Sequence, residues 1–576
     1  MSAVLPPPAI HADAATTFEV PERGSAAEGG AGLARIAVPA LVFWIVALLL
    51  LRWPAFEYPL FSSNATIDAA FFAYAGELLR QGGTPYVSYW DHKPPLVHLI
   101  DAAALSLSGG GLWGVWAVSV ATLLVALLLG FVAMRRAFGR SAAVLGATYF
   151  ACSLPIVLAS NLTEEYALPV QWAAALLVVR WTGAERASYR LGCVLGVLGA
   201  LGFFLRANLV GAAATAAIVI TIALLASGRT APWLRFVAGA LGGAGLVAAA
   251  ILGYLAHEGA LAPFWEQAFR YNSLYASSDW GMRARAAVAA LAEAPANGSL
   301  LLPAAGWIAA AHRLLAGRHD GGSRCLSLFA VLWLPVELAL VSVSGRPYTH
   351  YFTTVLPLLS FLAALAAAEL VALAASVPRA TRRFGPTALV AALAAVIAAW
   401  ATVATLVSVR DDPPVSDRAR QVTATAAFVR AKTTDGVPLL VWGHAADVHF
   451  FSQRRPASRF IYSLPLLTPG YADSALVAGF IAELRAAAPP LIVDATANAD
   501  LNDDLVPPLG RWDPSWRYPT NRGPTLRWWA AVPALEPFYD YVAANYVVTD
   551  SVGPLRWAIY RRVSPPLEAS VRAVIP

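Results

Sequence analysis

Pro94-Pro95-Leu96-Val97-His98-Leu99-Ile100-Asp101-Ala102-Ala103-Ala104-Leu105-Ser106-Leu107-Ser108 resembles a membrane crossing, and whether it is one decides the fold. A helix needs about 20 residues to cross the hydrocarbon core, and this stretch is short. Working outward from it, uncharged runs near the required length lie at 36–51, 112–134, 141–160, 166–179, 191–205, 207–227, 236–256, 297–312, 325–344 (interrupted by Glu337), 352–376 and 387–409. Basic residues cluster between them as Arg135, Arg136 and Arg140, then Arg180, Arg186 and Arg190, then Arg229 and Arg235. Arg313, Arg318 and Arg324 follow, and last Arg379, Arg382 and Arg383.

Lys and Arg are in excess in cytoplasmic loops. If 94–108 is left out of the count, every basic cluster falls in an alternate loop, as a single topology requires. The opposite loops hold Asp68, Glu77, Asp91, Glu164, Glu165, Glu258, Glu266 and Asp279. Counting 94–108 inverts every later loop. The charges therefore predict a cytoplasmic N-terminus, eleven crossings and an external segment after Arg410, with 94–108 lying along the outer interface.

Composition agrees. Of 576 residues, 58% are hydrophobic and 13% charged, against roughly a quarter charged in soluble domains. This is the profile of a multi-pass protein of the cytoplasmic (inner) membrane. The net charge of +6 is no nucleic-acid signal, because the basic residues sit in short clusters between apolar runs. Cys152, Cys193 and Cys325 have no metal-ligand spacing and read as small core residues. Residues 1–33 are rich in Ala, Pro and Gly and read as a disordered cytoplasmic tail rather than a signal peptide. The membrane domain then spans 34–409, with a large external loop at 53–111.

Beyond Asp411-Asp412-Pro413-Pro414 the pattern changes. Short β-rich runs at 438–442, 491–493, 545–548 and 557–560 alternate with helical patterns such as 472–487. A small extracytoplasmic α/β domain over 410–576 is expected.

The polar residues gather on the external side. The first loop carries Thr66-Ile67-Asp68, an amphipathic stretch at 69–80, Gly82-Gly83-Thr84-Pro85-Tyr86, and Tyr89-Trp90-Asp91-His92-Lys93-Pro94-Pro95-Leu96. Carboxylates, a lysine and paired prolines suit the capture of a phosphorylated lipid at the membrane surface. Plain alternatives exist: Asp68 as a helix N-cap and Lys93 as a snorkelling interface lysine. The second loop has Ser160-Asn161-Leu162-Thr163-Glu164-Glu165-Tyr166, two acids that are either functional or simply solvated. Arg206 interrupts two apolar runs, and Ser344-Gly345-Arg346-Pro347-Tyr348-Thr349-His350-Tyr351 sets cations and hydrogen-bond donors at headgroup level. Glu337 lies mid-span with no partner evident in the sequence. His444 and His449 in the external domain read as surface histidines of a strand-to-turn segment rather than as metal ligands.

The order Asp68, surface helix, Gly82-Gly83-x-Pro85-Tyr86, Trp90-Asp91-His92-Lys93-Pro94-Pro95-Leu96 and the later Gly345-Arg346-x-Tyr348-x-His350-Tyr351 resembles the GT-C glycosyltransferases. The nearest branch is the protein O-mannosyltransferase and aminoarabinose-transferase-like family, over roughly residues 35–410. The resemblance implies a polytopic α-helical membrane protein of GT-C-like architecture with about 11 transmembrane helices and a C-terminal external domain. It also implies that the chain is a polyprenyl-phosphate-sugar-dependent transferase, with an extracytoplasmic protein, lipid or envelope glycan as acceptor. Asp68 then corresponds to the family's catalytic acidic position, with a second acid at Glu164 or Glu165. Lys93, Arg206, Arg346, His350 and Tyr351 face the donor phosphate, and Tyr86, Asp91 and His92 the substrate. Many relatives carry Asp-Glu where this chain has Asp68-Ala69, so a divalent metal stays possible but is not assigned. In a single displacement, one general base predicts inversion at the anomeric carbon. The competing reading is a transporter or flippase of lipid-linked glycans, which Glu337 alone favours; no internal repeat of the transporter kind is visible.

Overall fold

The computed structural model describes residues 65–157, 161–181, 189–276, 279–293, 300–316, 321–376, 385–411, 417–468, 470–496, 506–511 and 533–563, together with Arg35, Ala37, Pro39, Leu41 and Val42. The tail 1–33 and most of the first expected span, 36–51, lie outside the described residues.

The other ten apolar runs are all helices: α3 (Trp113–Phe138), α4 (Arg140–Val157), α5 (Thr163–Trp181), α6 (Tyr189–Leu205), α7 (Gly211–Ala226), α8 (Thr230–His257), α12 (Leu301–Ala316), α13 (Gly321–Val341), α14 (Leu356–Ser376) and α15 (Pro386–Asp411). Among the described residues, five helical segments are long and apolar enough to cross a membrane: Trp113–Phe138, Thr230–His257, Gly322–Val341, His350–Ser376 and Pro386–Val403. Three of the rest, α6, α7 and α12, are apolar but shorter. The remaining helices before the C-terminal domain are α1 (Ala65–Arg80), α2 (Leu96–Leu107), α9 (Leu261–Trp265), α10 (Tyr271–Tyr275) and α11 (Trp280–Glu293), with a π-turn at Glu266–Arg270 between α9 and α10. At 12 residues and 1.5 Å per residue, α2 is about 18 Å long, well short of the ~30 Å hydrocarbon core.

With lipid on one side and helix on the other, apolar burial alone does not drive helix pairing, so close backbone approach does. The tightest pair shows this. A Cβ added at Gly192 or Gly196 of α6 would lie 2.0 Å from the Phe236 or Ala240 carbonyl oxygen of α8. One added at Gly239 or Gly243 of α8 would lie 2.1 or 2.0 Å from the Tyr189 or Cys193 oxygen. Both helices thus use small residues four apart, and alanine there would push them apart. Pro335, inside α13, has no N–H to offer the Val331 carbonyl one turn back. That oxygen instead accepts the Trp307 indole N–H of α12 at 3.2 Å, so the helix break becomes an interhelical tie.

The C-terminal domain begins with α16 (Asp417–Lys432) and contains β1 (Leu440–Gly443), α17 (Ala446–Ser452), α18 (Leu464–Leu467), α19 (Ser474–Ala487), β2 (Leu491–Ala495), α20 (Glu536–Asn545), β3 (Tyr546–Val552) and β4 (Trp557–Arg562). All four expected strand runs are strands. They form one sheet in the order β1-β2-β4-β3. β1 and β2 are parallel, with Val441 opposite Val493; β2–β4 and β4–β3 are antiparallel. β1 and β2 are buried at every position, which is why they read as continuous apolar runs rather than alternating ones. Val441, Val493 and Ile559 face α16 through Val422 and Val429 in one small core. The opposite face of the sheet joins a larger core shared with α1, α2 and the first external loop, including Phe71, Trp90, Tyr462, Phe480 and Phe538. This C-terminal domain is thereby packed on α1, which carries Asp68, and on the Tyr89–Trp90 segment that follows it.

Candidate active site

Asp68 lies in the first turn of α1, not at its N-cap. There the helix dipole favours a carboxylate. Residues Ala69 to Ala75 behind it are buried, which fixes the helix and leaves Asp68 on its rim. Asn161, at φ +53, ties this helix down: its amide donates to the Ala69 carbonyl at 3.1 Å and to Asp101 Oδ2 at 2.8 Å.

The segment 82–95 brings Lys93 back to Asp68. Its path is set by buried hydrogen bonds. Tyr86, at φ +61, donates its hydroxyl to the Lys93 carbonyl at 2.8 Å. Gln267 donates to the Tyr86 carbonyl at 2.7 Å and accepts from the Asp91 amide at 3.0 Å. Asn272 donates to the His92 carbonyl at 2.6 Å. The Asp91 carboxylate accepts the His92 amide at 2.7 Å and bonds His98 Nε2 at 2.8 Å, while His98 Nδ1 meets the Tyr89 hydroxyl at 3.0 Å. Tyr86 and Asp91 are fully buried, so their polar atoms are spent on the loop itself. The outcome is at Lys93, whose ammonium lies 3.1 Å from Asp68 Oδ2 and 4.9 Å from the centroid of the Phe72 ring. Lys93 is buried, which rules out snorkelling.

Burial alone would push the Asp68 carboxyl up, but the Lys93 ammonium, by its charge and its hydrogen bond, outweighs it and brings the pKa to about 2. His92 is driven away from a cationic state: burial first and Lys93 second hold it neutral, with a pKa of about 3. It can therefore offer a hydrogen bond but no charge. Its Nδ1 faces the Tyr462 hydroxyl at 3.3 Å.

A second polar group faces this pair. Glu164 and Glu165 open α5 and both are buried, so neither is a solvated loop acid. Glu164 accepts a close hydrogen bond from Arg206 and one from the Thr163 hydroxyl at 2.8 Å. Arg206, just past the end of α6, stacks 3.8 Å from the centroid of the Tyr351 ring. His350 packs edge-on against the same ring, with centroids 4.5 Å apart. Arg346 stacks on Tyr275 of α10 at 4.2 Å, and Tyr275 packs on His92 at 5.3 Å. Arg346 and His350 are buried, too deep for a belt of headgroup-facing side chains alone. Each arginine thus rests on an aromatic face, and a planar contact of this kind leaves the guanidinium edges to hydrogen-bond.

The structure brings Asp68, Lys93, His92, Arg206, Glu164, Arg346, His350 and Tyr351 into one cluster. Glu165 sits on the far side of α5, in the electrostatic field of Asp101. Three contributors were not assigned to the site from the sequence. Tyr275 carries Arg346; Tyr462 of the C-terminal domain packs 5.0 Å from Phe71 and meets His92; His444 lies 5.9 Å from Tyr462. His444 is partly exposed, but His449 is buried and stacked on Tyr74 at 5.3 Å, which corrects its assignment to the surface. Among the described residues, no group of three or more His, Cys, Asp and Glu side chains is arranged to hold a metal ion.

Comparison with known proteins bears on the fold. The family model described as dolichyl-phosphate-mannose-protein mannosyltransferase matches residues 92–257, which begin at the His92-Lys93-Pro94-Pro95 segment. No curated protein matches the chain by sequence. Among solved structures, ArnT from Cupriavidus metallidurans bound to undecaprenyl phosphate is similar at 14% identity. That match covers 92% of this chain and 98% of that one, with a TM-score of 0.55. The oligosaccharyltransferase of Archaeoglobus fulgidus tethered with an acceptor peptide is similar at 11% identity over 92% of this chain and 74% of that one, with a TM-score of 0.52. The chain is thus similar to a mannosyltransferase family model over part of its membrane domain, and it shares its fold with these two solved glycosyltransferases along nearly its whole length.

Proposed function

We propose that this enzyme moves a sugar from a polyprenyl-phosphate donor to a hydroxyl acceptor on the external face of the cytoplasmic membrane, with Asp68 as general base. The acceptor oxygen attacks C1 of the sugar while the C1–O bond to phosphate breaks. The acceptor proton passes to Asp68, and the bond's electron pair leaves with the lipid phosphate, giving inversion at C1. Lys93, Arg206 and Arg346 neutralise the negative charge that grows on that phosphate, with His350 and Tyr351 beside them. Glu164 anchors Arg206 rather than meeting the acceptor. His92 and Tyr462 face the acceptor side.

The observation that carries this reading is the site's charge and position. Lys93, Arg206 and Arg346 gather in one cluster with Asp68 and Glu164, while the Asp91 carboxylate behind Lys93 is taken up by His98 and the His92 amide, so three cations stand where one phosphate can meet them. The site also opens beside an apolar cavity of about 850 Å³ between α6, α7, α8 and α9, lined by Phe203, Phe204, Leu241, Phe264, Trp265 and Phe269. Phe204 and Arg206 are two residues apart, so a phosphate on Arg206 would place its first prenyl units at the cavity. The one sequence feature that favours transport, Glu337, is a bonded contact between helices (below).

Purified protein, undecaprenyl-phosphate-linked radiolabelled sugars and an envelope-glycan or lipid fraction test the reading. Label should pass covalently to the acceptor, and Asp68→Asn should stop it while donor binding persists. Movement of intact lipid-linked sugar without a covalent product would mean transport instead. Cysteines placed at 68 and 346 should react with an impermeant reagent from outside; labelling only from the cytosol would remove the site from the proposed face.

A further inference from the structure

Glu337 is fully buried in α13, among Leu, Val and Ala. It is not isolated. Its Oε1 accepts the Gln171 amide of α5 at 3.1 Å, and its Oε2 accepts the Trp333 indole N–H one turn back at 3.2 Å. The Thr354 hydroxyl is a third hydrogen-bonding neighbour. The same Oε2 lies against the first residue of α7: a Cβ added at Gly211 would be 1.9 Å from it. A carboxylate at a helix N-terminus meets the unpaired first-turn amides and the positive end of the helix dipole.

The elements gathered here carry the cations of the site. Thr354 belongs to the 3₁₀ segment Thr349–Val355, which also holds His350 and Tyr351. Gly211 ends the turn that follows Arg206, and in that turn Asn208 donates to the Leu340 carbonyl of α13 at 3.0 Å. Arg206 and Tyr351, which stack on each other, are thus each tethered to α13 within one helical turn of Glu337. An apolar side chain at 337 would leave two buried donors, on Gln171 and Trp333, without an acceptor, a costly state.

We infer that Glu337 is a positioning residue: it clamps the Arg206 turn and the His350–Tyr351 segment into one register for the donor phosphate. The inference rests on the donor-phosphate role proposed above. It uses hydrogen bonding rather than proton transfer, so a neutral amide should serve, with Gln171 turning its own oxygen toward the new donor.

The test compares E337Q, E337L and G211A in the full-length protein in detergent, with kinetics on an undecaprenyl-phosphate-linked sugar and hydrogen exchange across 344–355. Loss of register should raise donor KM about tenfold in E337L and lower kcat as well, because the displaced groups meet the phosphate both in the bound donor and as it leaves. E337Q should stay near wild type. G211A, which displaces the carboxylate sterically, should follow E337L to a lesser degree and decides the matter if E337L fails to fold. Exchange over 344–355 should rise in E337L and G211A but not in E337Q. If E337Q is as impaired as E337L, a protonation role replaces the clamp. If neither KM nor exchange moves in E337L and G211A, the clamp is wrong. A wild-type protein that transfers no sugar would defeat the proposed function, while the exchange comparison would still decide the clamp.

Discussion

Lys93 Nζ lies 3.1 Å from Asp68 Oδ2, so the proposed base and the proposed phosphate ligand are bound to each other. A dianionic or monoanionic phosphate competes with Asp68 for that ammonium. On the proposed mechanism, a donor that took Lys93 would deprive the carboxylate of its strongest stabilising neighbour and make it a better base. Donor binding and base activation are then one event. Asp68→Asn should lower kcat by about a thousandfold, the scale of general-base catalysis, with donor affinity retained or improved because Lys93 is freed. Lys93→Ala should instead weaken donor binding and kcat together. Equilibrium binding of undecaprenyl phosphate beside turnover separates the two, and a near-normal rate in the Asp68→Asn protein would defeat the base assignment.

The same pair fixes a pH dependence. Paired with Lys93, Asp68 has a pKa of about 2, below the ordinary carboxylate range, so the carboxylate is ionised throughout the working range. Its depressed value stabilises the fold above the unfolded carboxyl pKa, and that contribution is lost only as pH falls through about 2. The free-enzyme profile, kcat/KM, should therefore show no acid limb from Asp68 above about pH 4. If Lys93 turns to the phosphate in the donor complex, as proposed, the acid limb of kcat should lie at higher pH. Profiles in which kcat/KM falls first on acidification would contradict this order.

Arg206 stacks on Tyr351 and is held by Glu164. A lysine keeps the charge but not the planar stack or the forked donors. Arg206→Lys should thus cost donor affinity about tenfold, on the scale of one charge-assisted hydrogen bond and a desolvated cation–π contact. Glu164→Gln should cost less than Arg206→Lys if the acid only orients the guanidinium. A larger loss in kcat than in KM for Glu164→Gln would return this residue to the chemistry.

Much of this was legible in the chain because the signals are one-dimensional. Apolar run length and alternating Arg clusters located ten helices within the described residues, and the shortness of 94–108 matches the 12-residue α2. Continuous apolar runs at 438–442 and 491–493 marked the buried parallel strands. The site needed contacts that spacing does not encode. Lys93 could not be told from a snorkelling lysine until its burial and its ion pair with Asp68 were seen. Glu164 looked like one of two interchangeable acids, yet only it meets Arg206, because side chains at successive helical positions point about 100° apart. Tyr275, Tyr462 and His444 lie hundreds of residues from Asp68 in sequence and reach it only through tertiary packing. His449 misled for the opposite reason: a polar residue after a short strand is usually exposed, but the stack on Tyr74 buries this one.

Trp90 ties the C-terminal domain to the segment that carries Lys93. Its amide donates to the Arg459 carbonyl at 2.8 Å and its indole N–H donates to the Tyr471 hydroxyl at 2.9 Å, while its ring packs on Tyr271 at 4.6 Å. Asp91, His92 and Lys93 follow directly, so the domain holds the first loop in the geometry that delivers Lys93 to Asp68. Tyr471→Phe removes one buried hydrogen bond and leaves the indole N–H unpaired, which should cost about 1–3 kcal/mol of local stability. Trp90→Phe removes the donor as well and should cost less through that bond but more through lost packing. Both should raise hydrogen exchange over 82–95 and donor KM, while 301–316, on the membrane side, stays protected. Exchange that rises uniformly across both segments would mean that Trp90 serves general stability rather than the loop.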